Sequence, residues 1–253
     1  MEWSRKELKS RAKQVLRTSY WKAFLVSLLL AVVGGGVPSC NWNSNSGSSS
    51  SFNLGNLDLG MGDISNGVGA LILAFIVIVA IVAGLAALAF SIFVLNPFKV
   101  NAQQYFKQAS QGDVDMHYLL YAFGKGRYIG TVVSMFWSAL LNFLWYLLLI
   151  IPGIVKSYAY SMVPYILGDN PTIGRKRAVQ LSNQMTRGHK WRMFVLDLSF
   201  IGWFLLGTIA LGVGVLFVLP YYNSTKAELY VVLRQQALYD GLSNPEELNL
   251  PIS

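Results

Sequence analysis

The chain has 253 residues, of which 54% are hydrophobic and only 13% charged, about half the roughly 25% charge of an ordinary soluble domain. Its mean hydropathy is +0.45. This composition excludes a disordered chain, a coiled coil and a basic nucleic-acid-binding domain, and leaves a protein whose solvent is largely lipid. The net charge is +8, yet 19 of the 20 Lys and Arg, all but Lys156, flank apolar spans. That placement reads as membrane topology and contact with anionic lipid headgroups. Cys40 stands alone, so no internal disulfide or cysteine-based zinc site is expected.

The elements follow in chain order. Ser4 and Glu7 have the spacing of a capping box. Leu8, Ala12, Val15 and Leu16 then recur at helical spacing among six Lys and Arg, predicting a basic amphipathic helix over 4–18 that lies on the inner leaflet. The basic stretch is too long for a signal-peptide start. Val37-Pro38-Ser39-Cys40 fits a lipoprotein cleavage box badly because of Pro38, so the first span, 20–37, is read as retained. Residues 39–66 form an outer loop rich in Ser, Asn and Gly, without a Lys or Arg. The second span, 67–98, exceeds the ~20 residues of a perpendicular crossing.

Residues 100–126 read as amphipathic and cytoplasmic, two short helices around Gly112-Asp113. The third span is 128–150. Pro152-Gly153 breaks the helix, because proline lacks an N–H donor and glycine tolerates a turn. The fourth span, 154–167, leads to Asp169-Asn170-Pro171-Thr172, which opens a cytoplasmic helix ending near Gly188. The fifth span is 191–207, Gly212-Val213-Gly214 loosens the chain, and the sixth span is 215–233. One long tilted helix over 193–222 is the alternative to the last pair. Two spans keep Lys226 and Arg234 on the inner side, and that favours two.

The expected fold is all-α: one integral-membrane domain over 1–253, a polytopic membrane helix bundle of about six spans with amphipathic cytoplasmic helices. The basic residues cluster on one side of this arrangement, which places both termini in the cytoplasm. A weak threefold hairpin repeat is also visible. It runs from a basic-aromatic start (Tyr20-Trp21-Lys22, Arg127-Tyr128, Lys190-Trp191-Arg192) through a glycine-containing break to a proline-aromatic pair (Pro97-Phe98, Pro164-Tyr165, Pro220-Tyr221). Any helical hairpin needs those parts, so the repeat by itself carries no function.

The stretch from Leu144 to Tyr230 has a more specific pattern. Leu144-Trp145-Tyr146-Leu147-Leu148 leads into Ile150-Ile151-Pro152-Gly153-Ile154-Val155-Lys156. Tyr160-Ser161-Met162-Val163-Pro164-Tyr165, Asp169-Asn170-Pro171, Gly188-His189-Lys190-Trp191 and Leu196-Asp197-Leu198-Ser199-Phe200-Ile201-Gly202-Trp203 follow, and Pro220-Tyr221 and Tyr230 close it. This ordered run resembles the bacterial integral membrane family called domain of unknown function 975. The resemblance extends over nearly the whole chain, with the long Ser/Asn-rich outer loop as a departure. It implies a multi-pass protein of the bacterial cell membrane and no particular reaction.

Asp197, inside the fifth span, is the sharpest chemical candidate, since a charge at a helix centre costs about 2.5–3.5 kcal/mol on insertion scales. It must snorkel, be protonated or meet a partner from another helix. Lys156 is expected to snorkel to the outer interface or to reach an anionic ligand. Asn142 in the third span reads as interhelical glue or as a ligand contact. His189, Lys190 and Arg192 at one membrane junction, and the cluster Arg175, Lys176 and Arg177, are candidate headgroup or phosphate contacts.

His117 and His189 are too far apart for a metal-ligand spacing. Gly60-Met61-Gly62-Asp63 and Tyr239-Asp240 match intramembrane aspartyl protease motifs only in reversed order and on opposite faces. No zinc-protease, Walker, nucleophile-elbow or dinucleotide fingerprint is present. No catalytic residue, cofactor or metal is assigned. The expected partners are the bilayer, anionic headgroups at the cytoplasmic face and another membrane protein, not nucleic acid. The leading functional expectation is a non-enzymatic partner-binding or envelope-organising role. A transporter or channel using Asp197 and a lipid-acting enzyme are the alternatives.

Overall fold

The computed structural model describes residues 3–33, 67–124, 126–209 and 213–250. The outer loop 39–66, Cys40, the glycines at 34–36 and Gly212 lie outside the described residues. The described residues are helical with no strand among them, and they divide into two compact units, one within Ser39–Ser91 and the other formed by the rest.

The smaller unit holds one long helix, α2 (Gly67–Phe90). Its residues carry no charge, and its described side chains are exposed on every face, Leu71, Phe75, Ile78, Val82 and Leu85 among them. Twenty-four residues at 1.5 Å each make about 36 Å, enough to cross a hydrocarbon core. A helix apolar all round is stable only in an apolar surrounding.

The larger unit begins with α1 (Arg5–Val33), started as the capping-box pattern predicts: Glu7 N–H donates to Ser4 Oγ at 3.2 Å. The Glu7 carboxylate turns forward to Arg11, 2.6 Å away, instead of back to Ser4. The helix kinks at Ser19 (φ −136°, ψ 29°), where the Ser19 hydroxyl donates to Val15 C=O. The apolar face of the basic arm does not lie against lipid as expected: Leu8, Ala12 and Leu16 are buried within the protein. The larger unit offers its own apolar surface to that face, through α3 and α9 described below.

A π-helical turn (Ser91–Leu95) precedes α3 (Asn96–Ser110), which Pro97 opens in its first turn. Expected at the cytoplasmic periphery, α3 is instead central, with Val100, Ala102, Tyr105 and Phe106 at most 1% exposed. A 3-10 stretch (Met116–Phe123) follows, so the two-helix reading around Gly112-Asp113 holds. Helix α4 (Tyr128–Leu148) ends at Leu149, whose extended backbone makes the turn. Pro152 and Gly153 belong to the first turn of α5 (Ile150–Tyr160) rather than to the break. A proline without a donor is harmless there, and a Cβ on Gly153 would come within 2.5 Å of the Tyr146 ring.

The stretch expected as the fourth span is discontinuous. After α5 the chain breaks at Ser161-Met162 and restarts as α6 (Val163–Asp169), opened by Pro164. Ser182 of α7 (Arg175–Met185) holds this break: its hydroxyl donates to Ala159 C=O at 2.7 Å and accepts from Met162 N–H at 3.3 Å. Pro171 stays outside α7, whose N-terminal neighbour is Gly174 at φ +85°.

The last pair is two helices, α8 (Lys190–Ile209) and α9 (Val213–Tyr239), so the single-helix alternative fails. They meet closely where Gly207 faces Gly214 and Val215, backbone against backbone. Helix α1 packs along α9 and α3, with Phe24 stacked on Phe217, and Lys9 reaches α8 to donate to Ser199 Oγ at 2.8 Å. Pro97 and Pro164 each start a helix while Pro220 lies inside α9, so the proline-aromatic pairs of the hairpin repeat are not structurally equivalent.

Among the described residues three helical stretches are long and apolar enough to cross a membrane: Leu73–Ser110, Tyr128–Leu148 and Lys190–Ile209. In the larger unit the exposed large apolar side chains include Phe143, Leu144, Leu147 and Leu148 of α4, Ile150 and Ile151 of α5, and Leu205, Leu206 and Ile209 of α8.

A polar cavity beside Asp197 and a buried charge cluster at Asp169

Helices α3, α4, α5, α8 and α9, with the start of α6, line a half-open cavity of about 690 Å³. Polar residues project into it at helical spacing: Asn96, Lys99 and Gln103 from α3, and Ser138, Asn142 and Tyr146 from α4. The break between α5 and α6 lines it as well, through Ser161 and Met162. Non-helical backbone at membrane depth is tolerated where it borders a water-filled cavity, because water replaces the missing intrahelical partners.

Asp197 stands in this cavity and does meet a partner from another helix. Lys226 Nζ of α9 lies 2.6 Å from its Oδ1, and the hydroxyls of Tyr158 and Tyr222 hydrogen-bond to the same carboxylate. The Tyr222 and Tyr158 rings sit 5.4 and 5.9 Å from the Lys226 ammonium. Lys226, which charge patterning places among the cytoplasmic cations, is instead the counter-ion of Asp197, its side chain 13% exposed. Charge bookkeeping along a chain assigns every cation to water and cannot see a carboxylate delivered by another helix.

Asn142 also lines the cavity, and its Oδ1 is buried without a hydrogen-bond partner among the described residues. Gln103 Oε1 is in the same condition. Lys156 is not part of the lining. Its ammonium lies 4.8 Å from the Trp145 ring centroid.

A second polar cluster joins the ends of α3, α6 and α9. Asp169, its side chain 1% exposed, pairs with Lys107 through Oδ1 and with Arg234 through Oδ2 at 3.2 Å, and these bases are themselves 4% and 5% exposed. Tyr230 donates to Oδ2 at 2.5 Å and stacks on Tyr165. Arg234, like Lys226, is therefore not a surface charge. The C-terminal segment closes the cluster: Asn249 donates to Asp169 C=O, and Asn170 donates to Glu247 C=O. Sequence reasoning missed this centre. The available signal was that Asp169 and Tyr230 both stand in the motif run that carries the family resemblance.

The candidate headgroup contacts are distributed differently. Arg192 bonds Trp3 C=O and lies over the Trp3 indole, and His189 packs near the same ring. Burial and then the Arg192 charge hold the His189 imidazole below its usual pKa. Lys190 donates to Asn183 Oδ1 at 3.2 Å. Arg177 grips Glu247 with two nitrogens (2.5 and 2.9 Å), and this hydrogen bonding holds the Glu247 carboxyl below the ordinary carboxylate range. Arg175 lies over Trp137, and Lys176 is exposed.

Fold and cavity together define the class: a protein whose described residues are helical, with three stretches among them long and apolar enough to cross a membrane and a polar cavity among its helices. Residues 130–237 match the family model described as "Protein of unknown function (DUF975)", the same family that the motifs from Leu144 to Tyr230 resemble. The matched segment holds Asn142, Tyr158, Asp169, Asp197, Tyr222, Lys226, Tyr230 and Arg234, and leaves out Lys99, Gln103 and Lys107. No curated protein and no solved structure matches the chain significantly.

Proposed function

We propose that the protein is a multi-pass protein of the bacterial cell membrane, with six crossings and both termini cytoplasmic, that takes a small polar ligand into the Asp197–Lys226 cavity as a transporter. The observation that carries this reading is the cavity itself. A discontinuous helix and the Asp197–Lys226 ion pair converge on one cavity, and broken helices at a midplane site are how many transporters bind their substrates. This arrangement moves the balance away from the partner-binding role that composition favours. The basic arm of α1 and the exposed Arg175 and Lys176 contact anionic headgroups in this reading.

The test is flux in reconstituted vesicles over a panel of labelled polar solutes. A solute carried by the native protein and not by Asp197→Asn supports the reading. If no solute in a panel of anions, cations and zwitterions crosses in an Asp197-dependent way, the reading fails.

A further inference from the structure

Glu228 of α9 is 4% exposed, yet among the described residues it forms no ion pair and accepts no hydrogen bond. Asp169 and Asp197, by contrast, each face a base. A carboxylate held this far from water is costly to leave unpaired. Glu228 lines a half-open pocket of about 420 Å³ between α1, the end of α3 and α9, which shares no lining residue with the Asp197 cavity.

The surroundings of Glu228 are electronegative. Ala109 and Ser110 bring the last turn of α3 to the pocket, the negative end of a 15-residue helix dipole. Gln14 and Thr18 of α1 add side-chain oxygens able to accept hydrogen bonds. The Ser110 hydroxyl gives its hydrogen to Lys107 C=O at 2.7 Å, which leaves its oxygen to accept. Arg11 is the base in the lining, but its guanidinium lies 2.6 Å from the Glu7 carboxylate and forms no pair with Glu228. At the edge Lys22 donates to Val114 C=O at 3.2 Å, and the exposed Asp113 and Asp115 flank Val114.

We propose that this second pocket binds a protonated primary amine, with the ammonium on Glu228 and the carbon body against Val15, Val114 and Val231. The site is additional to the transporter reading and does not rest on it. The three N–H donors of an ammonium match a carboxylate with hydroxyl and amide oxygens beside it. An anion would meet both Glu228 and the negative end of α3, and a neutral ligand would leave the carboxylate without a counter-charge. A divalent metal ion calls for several acidic or imidazole ligands, and no cluster of three such groups occurs among the described residues. About 420 Å³ falls within the range of roughly 300–1,000 Å³ typical of small-molecule sites and exceeds the need of a bare ion. A free amine and the headgroup of an aminophospholipid share this chemistry, and the two sources are separable.

The full chain is purified in neutral detergent, and ethanolamine binding is followed calorimetrically at neutral pH and low salt. Tetramethylammonium, which carries the charge without an N–H donor, and potassium are the comparison cations. In phosphatidylcholine nanodiscs, added phosphatidylethanolamine replaces the free amine. The native protein is expected to bind one of the two amines. Glu228→Gln should weaken that binding roughly 10- to 100-fold, the size of one charge-assisted hydrogen bond. Arg11→Gln removes the facing cation and should strengthen it. Glu228→Gln breaks no ion pair, so its unfolding temperature without ligand should stay at or above the native value. Binding of ethanolamine assigns a soluble amine, and binding of phosphatidylethanolamine alone assigns the lipid headgroup. The proposal is overturned if neither amine binds in a Glu228-dependent way, or if tetramethylammonium or potassium binds as tightly. It is also overturned if Arg11→Gln and Glu228→Gln each lower stability and the double variant loses no more than either alone, because Arg11 would then be the counter-ion of Glu228 in solution.

Discussion

Tyr230 donates its hydroxyl hydrogen to Asp169 Oδ2 across 2.5 Å, although 61 residues separate them in the chain. The bond runs between α9 and the end of α6, and the same carboxylate holds Lys107 of α3 and Arg234 of α9. One buried anion thus ties three helices together. Removing its charge leaves two cations in a nearly dry site, and breaking a buried pair in this way costs about 3–5 kcal/mol. Asp169→Asn should therefore lower stability by about that amount, and Tyr230→Phe by the smaller ~1.5–3 kcal/mol of a hydrogen bond to a charge. Unfolding in detergent would measure both, and an Asp169→Asn variant as stable as the native protein would contradict the role given to this cluster.

Asp197 and Lys226 should behave as a coupled pair. Each single neutralisation, Asp197→Asn or Lys226→Gln, strands the other charge, whereas the double variant strands neither. The double variant is expected to be more stable than the sum of the singles allows, by about 0.5–3 kcal/mol. Additive losses in the complete cycle would mean that the 2.6 Å contact has no energetic weight.

The α8–α9 hairpin depends on the absence of a side chain at Gly207. A Cβ there would lie 2.7 Å from Val215 N and 2.8 Å from Gly214 C, and neither backbone atom can move aside alone. Gly207→Ala should cost about 1–3 kcal/mol, the usual range for overpacking. Gly202, on the same helix, has nothing within 4 Å of its Cβ position. Gly202→Ala should be neutral or stabilising by up to about 1 kcal/mol, since alanine is the better helix former. Melting temperatures that fall equally for both would count against the close approach.

Acid should loosen the C-terminal segment. The hydrogen bonds from Arg177 depress the folded-state pKa of Glu247, so the unfolded chain binds its proton first as pH falls. The stabilisation is complete above the unfolded carboxyl value, about 4.3, and is lost as pH drops through the lower folded value. Glu247→Gln should therefore separate from the native protein at neutral pH and converge with it in acid. Proteolysis of the C-terminal segment as a function of pH would read this, and a gap that widens on acidification would reverse the assigned sign. High salt should narrow the neutral-pH gap, because the pair is partly exposed.

The sequence by itself determined the helical class, the apolar stretch of α2, the capped start of α1, the last two helices as separate arms, and the place of one carboxylate, Asp197, inside an apolar run. Each of these is a local property: helical periodicity, a charge-free run of sufficient length, a serine three residues before a glutamate, or one carboxylate inside an apolar run. Only the tertiary structure decided what the long-range partners are. Lys226 and Arg234 looked like topology signals because nothing near them in the chain is acidic; their counter-ions, Asp197 and Asp169, arrive from α8 and α6. Lys99, Gln103 and Asn142 became one cavity only when α3 moved from the expected periphery to the centre of the bundle. Patterning records which faces are polar, while the pairing of one polar face with another is a property of packing, and packing is what made this chamber.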